Sequence, residues 1–201
     1  MLACGKDDTI ETTPIEKKEI FPFLKIGNEW EYEAHHSPIE YSKITIDSIE
    51  IISENESKYF GTWHSEWHTI ANLLLFHLKD SVLNISFDNW SCYFDYNWTE
   101  GQIIDSLDGY NSTGKQQWFP VIVSKGVFNT RWLYPNITFS ECIIYKGWWG
   151  NNSSSGHPMS WDGGHIEAVL SNKYGLVYYE SGQYDQGYYG GSSYRLISTN
   201  F

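Results

Sequence analysis

Basic residues are scarce: 13 Lys and Arg stand against 25 Asp and Glu, for a formal charge of −12. Such a surface repels phosphate backbones and anionic headgroups, which argues against nucleic acid as a partner. Long apolar runs are missing as well. The longest candidate, 70–78, is interrupted by Asn72 and His77 and falls far short of the roughly 20 residues a spanning helix needs. With only 3 cysteines the chain cannot be a disulfide-dense scaffold. It carries no Gly-x-Ser-x-Gly elbow, no Walker loop, no dinucleotide glycine pattern and no His-Glu-x-x-His. No catalytic residue, cofactor or metal ligand set is therefore assigned from sequence.

What the chain has is aromatic side chains: 10 Trp, 15 Tyr and 10 Phe, with charged residues at only 19%. Aromatic and β-branched residues suit a pleated, half-buried surface, so strands are favoured over helices. The patterning agrees. Trp30, Tyr32 and Ala34 alternate with Glu29, Glu31 and Glu33, which puts aromatics on one face of a strand and carboxylates on the other. Ile44 and Ile46, then Ile49 and Ile51, alternate in two phases that change across Asp47 and Ser48, which implies a bulge or tight turn there. Leu83, Ile85 and Phe87 alternate cleanly, and further short strands are expected at 117–123, 127–134, 137–146, 166–170, 176–180 and 194–198. The run 70–78 fits the helical template and a strand almost equally well. The expectation is an all-β, antiparallel meander closing into a barrel or sandwich, with at most one or two short helices.

Several polar clusters invite a chemical reading. His64, Glu66 and His68 would share one face if 59–68 were a strand, as a metal triad would, but exposed polar residues opposite a buried Trp face explain them equally well. His35 and His36, and His157 and His165, read as loop histidines. The stretches from Asp95 to Thr99 and from Asp105 to Asn111 offer the oxygen ligands of a calcium loop without completing one, and turn-forming Asp, Asn and Gly are the better explanation. The stretches 147–164 and 181–193 look too polar and Gly-rich to be strand, and structureless loops that long are usually functional or disordered. The first of them carries the candidate ligand contacts Trp148, Trp149, Trp161, His157 and Asp162. Flat rings with a polar edge suit stacking on sugars or gripping a protein groove. The competing explanation is that they fold back as lids over the core.

At the N-terminus, Leu2 and Ala3 precede Cys4 as small and apolar residues precede the lipidated cysteine of a lipoprotein signal peptide. The basic and apolar stretches that normally come before such a site are not part of this chain. Lys6, Asp7, Asp8 and the polar run to Glu19 would supply a solvated tether. Residues 1–20 are thus expected to be leader remnant and tether, and 21–201 a single β domain. If Cys4 carries lipid, Cys92 and Cys142 remain as an even pair in an oxidising compartment, free to bridge or to pack as two small buried hydrophobes.

The order of motifs from Leu2-Ala3-Cys4-Gly5-Lys6-Asp7-Asp8, through Phe21-Pro22, Ile26-Gly27-Asn28 with Trp30 and Tyr32, Phe94-Asp95-Tyr96 with Glu100-Gly101, and Thr138-Phe139 with Cys142, to Tyr174-Gly175-Leu176-Val177 with Tyr179-Glu180, resembles uncharacterised lipoproteins of Bacteroidetes-type bacteria. It covers most of the chain and departs at 60–78 and 147–164. The resemblance implies an antiparallel β fold, a lipid anchor and no established activity. Lys6-Asp7-Asp8 beside the lipidated cysteine further implies export to the outer face of the outer membrane, the periplasmic face being the alternative.

The function expected is thus a non-enzymatic surface lipoprotein serving as a binding or assembly module, its partners the membrane through Cys4 and either a glycan or another surface protein. A glycan-binding accessory lipoprotein is the first alternative and a secreted hydrolase the second. A shallow aromatic groove without convergent carboxylates would favour the first. A deep cleft with two carboxyls about 5–10 Å apart would favour the second.

Overall fold

The computed structural model describes residues 20–34, 40–87, 90–110, 116–130, 137–152, 158–185 and 188–201. These form twelve strands: β1 (Glu29–Ala34), β2 (Glu40–Ser53), β3 (Glu56–Ser65), β4 (Thr69–Lys79), β5 (Val82–Phe87), β6 (Trp90–Asp95), β7 (Ile103–Tyr110), β8 (Gln116–Asn129), β9 (Thr138–Asn152), β10 (Pro158–Ser171), β11 (Gly175–Asp185) and β12 (Tyr188–Thr199). Among the described residues there is no helix. The run 70–78 resolves to β4, paired along its length with β3.

All twelve strands belong to one antiparallel sheet of order β6-β5-β4-β3-β2-β1-β12-β11-β10-β9-β8-β7. The first six meander outward from the centre and the last six return, so the first and last strands pair in the middle, Trp30 opposite Thr199 and Ala34 opposite Tyr194. The sheet does not close, since β6 and β7 remain its two edges. Its two halves instead lie over each other: the Phe94 ring of β6 meets Tyr145 of β9 at 5.3 Å, and Trp98, in the β6–β7 connection, meets both.

The inner face is where the sequence alternation places it. Trp30, Tyr32 and Ala34 are buried, and so are Ile44, Ile46, Leu83 and Ile85. The buried polar tips are satisfied, Trp30 Nε1 donating to Tyr174 O at 2.7 Å and Tyr32 Oη to Leu176 O at 2.9 Å, which also ties β1 to the β10–β11 turn. Phe23, ahead of β1, packs edge-on against both Trp30 and Phe76, whose rings also meet each other at 5.5 Å. On the outer face Glu29 pairs with Lys43 at 2.7 Å, while Glu33 forms a buried ion pair with Arg195. The expected phase change is a bulge at Asp47: Ile46 pairs with Gly61 and Ser48 with Phe60.

Two expectations of loop structure are corrected. The stretches 147–164 and 181–193 lie mostly in the strands β9 to β12, extending well past the apolar segments that predicted them. Their glycines face one another across the ladder, Gly163 opposite Gly150 and Gly182 opposite Gly191, so backbone pairing continues without apolar alternation. The putting of His64, Glu66 and His68 on one strand face is corrected as well, because β3 ends at Ser65 and the chain turns, Ser65 N donating to His68 O.

Candidate functional site

The outer face of β7 to β12 is built by simple alternation. On β8, Trp118, Pro120 and Ile122 are exposed, while of the residues that alternate with them Phe119 is half-buried and Val121 and Val123 are buried. Ile122 pairs with Lys146 of β9 and with Ile103 of β7, so Trp148 of β9 and Ile103 share this face. Trp118 is 63% exposed and Trp148 39%. Continuing the register two residues brings Pro120 beside Trp148, and Gly147 permits the approach: a Cβ there would lie 2.8 Å from Val121 Cγ2 and 3.1 Å from Leu107 Cδ1. By strand geometry the two indoles then rise from Cα atoms about 8 Å apart.

Beside this apolar stripe runs a polar row. Lys146, Glu167, Glu180 and Ser193 are successive partners across β9, β10, β11 and β12. The next row is Trp148, His165, Gly182 and Gly191, in which bare backbone adjoins the two rings. The Trp148 indole stacks on the His165 imidazole with centroids 4.7 Å apart and planes 19° from parallel. His165 is buried beneath it, Nε2 lying 3.0 Å from Glu180 Oε1. Glu180 Oε2 accepts a hydrogen bond of 2.6 Å from the Tyr178 hydroxyl, and the Tyr178 ring rests on Phe128. Both oxygens of Glu180 are thereby positioned.

Glu167 and Glu180 sit directly opposite each other, which places their Cβ atoms about 4.5–5.5 Å apart. Burial raises the Glu167 carboxyl above the usual range; Lys146 opposes that shift, the Glu180 charge adds to it and His165 lowers it again. The Tyr178 hydroxyl is pushed well above its ordinary value, first by burial and then by its bond to Glu180.

Of the residues that sequence singled out, Trp148 is on this face, half-open and held by His165. Trp149 lies in β9 and Trp161 and Asp162 in β10, with side chains outside the described residues, and Cys4 and His157 lie outside them altogether. Sequence reasoning missed Trp118, Lys146, Glu167 and Glu180. The alternation Trp118, Pro120, Ile122 against Phe119, Val121, Val123 was the available signal for the first. The others required the register.

Elsewhere the polar clusters hold local partners. His64 Nδ1 bonds Thr69 Oγ1 at 2.7 Å, and Trp63 packs on His68 at 4.7 Å. Asp95 accepts from Ser81 Oγ and from Asn97 N, the pattern of a turn residue. Asp105 and Asp108 are in strand β7. Among the described residues no group of three His, Cys, Asp or Glu side chains gathers as a metal site would. Cys92 and Cys142 are both buried free thiols. A groove of about 250 Å³ between the start of β9 and the end of β12 is lined by Phe139, Tyr174, Leu196 and neighbours and gathers no charged group.

No family model matches the chain, and no curated protein matches it. A crystal structure described as a "putative lipoprotein" from Parabacteroides distasonis is similar in shape, with a TM-score of 0.41 and 14% identity over 90% of this chain and 98% of that one.

Proposed function

We propose that the chain is a lipid-anchored, non-enzymatic binding module at the outer membrane, and that it holds a glycan on the face carrying Trp118 and Trp148. The observation that supports this reading is the pair of exposed indoles on adjacent strands, one of them fixed from below by a buried histidine. A ring already stacked on its neighbour loses little freedom when a sugar covers its other side. Two such rings, at a separation that a few successive sugar rings span, form a shallow platform, with Lys146, Glu167 and Glu180 available to hydroxyls alongside. Affinity electrophoresis tests the reading. The soluble domain should be retarded in gels containing the right polysaccharide, and Trp118→Ala with Trp148→Ala should migrate freely. A ligand whose binding the double variant retains would place the site elsewhere.

The anchor rests on Leu2-Ala3-Cys4 and the polar run behind it. Expressed behind a complete signal sequence, the chain should partition into detergent and Cys4→Ala should not. Protease added to intact cells should remove the domain if it faces outward, and spare it if it faces the periplasm.

A second reading, glycoside hydrolysis, is favoured by one observation: Glu167, its carboxyl raised by burial, stands directly opposite Glu180 on the neighbouring strand, and glycosidases work with two neighbouring carboxyls. Turnover of aryl glycosides that Glu167→Gln abolishes would select it over simple binding.

A further inference from the structure

We infer that this face selects glycans bearing free amines, such as deacetylated hexosamine chains, and turns away uronates and sulfated sugars. The inference rests on the glycan reading above and adds the ligand's charge to it. Three side chains of formal charge line the row beside Trp148: Lys146 on β9, Glu167 on β10 and Glu180 on β11. Among the described residues the neighbouring elements add no further Lys or Arg to this row. His165 of β10 lies beneath Trp148 against Glu180, β11 contributes the neutral Tyr178, and the Arg195 charge of β12 is matched by Glu33 of β1. The site is thus acidic in a chain whose formal charge is already −12.

Its two carboxylates are differently placed. Glu180 is fixed through both oxygens, whereas Glu167 is half-buried with Lys146 as its cross-strand cation. An ammonium group on a sugar whose ring covers Trp148 would settle between the two, relieving a repulsion that burial makes costly. A carboxylate or sulfate in the same place would deepen it, and partial burial means salt screens it less than at an open surface. The glycine floor at Gly182 and Gly191 leaves the space such a ring needs.

Isothermal titration with three hexamers tests this: deacetylated chitosan, its N-acetylated counterpart and oligogalacturonate. The deacetylated chain should bind at least about tenfold tighter than the acetylated one, and the galacturonate should not bind. Because any acidic protein attracts a polycation, the same titration is run on Glu167→Gln and Trp148→Ala. Glu167→Gln should erase most of the advantage of the free amine while keeping binding of the acetylated chain, and Trp148→Ala should weaken both. Equal affinity for the two chitosans, tighter binding of galacturonate, or an amine preference indifferent to both variants overturns the inference while leaving the glycan reading standing. If no glycan of any charge binds, the glycan reading itself is overturned.

Discussion

Glu167 of β10 faces Glu180 of β11 directly across the ladder, in a setting where burial already disfavours the charge on Glu167. Like charges directly opposite cost about 0.2–1 kcal/mol. A carboxyl whose folded-state pKa is raised contributes stability that is fully present below its unfolded value and lost as pH rises through the folded one. Glu167→Gln should therefore raise Tm at pH 7, with the gain vanishing below about pH 4, the unfolded range for glutamate. Thermal melts across pH 4–8 check this. A variant that is less stable at pH 7 would show that Lys146 outweighs burial.

Gly61 offers a backbone test of the register in the first half of the sheet. A Cβ at this position would lie 1.9 Å from the Thr45 carbonyl oxygen and 2.5 Å from Leu75 Cδ1. Gly61→Ala should cost at least about 3 kcal/mol, because the clash is with backbone beside the Asp47 bulge. Gly101, with φ of 77° and open space around it, should lose only about 1 kcal/mol to alanine. Urea unfolding of the two variants measures the contrast, and comparable losses would contradict the packing described.

The two core cysteines give a chemical check. Burial pushes the Cys142 thiol up to about 11, and burial likewise raises Cys92, partly offset by its bond with Tyr145. In a Cys4→Ala background neither thiol should react with a disulfide reagent at pH 8 in the folded state, and both should react in denaturant. An oxidised mass under non-reducing conditions would instead mean that the two are bridged.

The fold was legible because its inner face is written as strict alternation: Trp30, Tyr32, Ala34 and Leu83, Ile85 announce both strand and buried side. Even the slip at Asp47 could be seen, since a bulge reverses the phase of every later side chain. The extent of β9 to β12 could not. Gly150, Gly163, Gly182 and Gly191 carry no side-chain signal, and only cross-strand pairing shows that they lie in strand. The candidate site was half legible for the same reason. Trp148 stands out in any reading, but its stack on His165 and the meeting of Glu167 with Glu180 join residues up to 17 positions apart through a register that sequence does not display.

If Trp118 and Trp148 form a binding platform and not a part of the core, titration of the double variant shows it most directly. Stacking on an aromatic side chain is worth about 1–3 kcal/mol per base, a scale borrowed here for a sugar ring. With a glycan that the wild type binds, measured by isothermal titration, Trp118→Ala with Trp148→Ala should lose affinity by about tenfold or more, while Tm and the far-UV spectrum stay nearly unchanged. Unchanged affinity, or loss of the folded state, would contradict it.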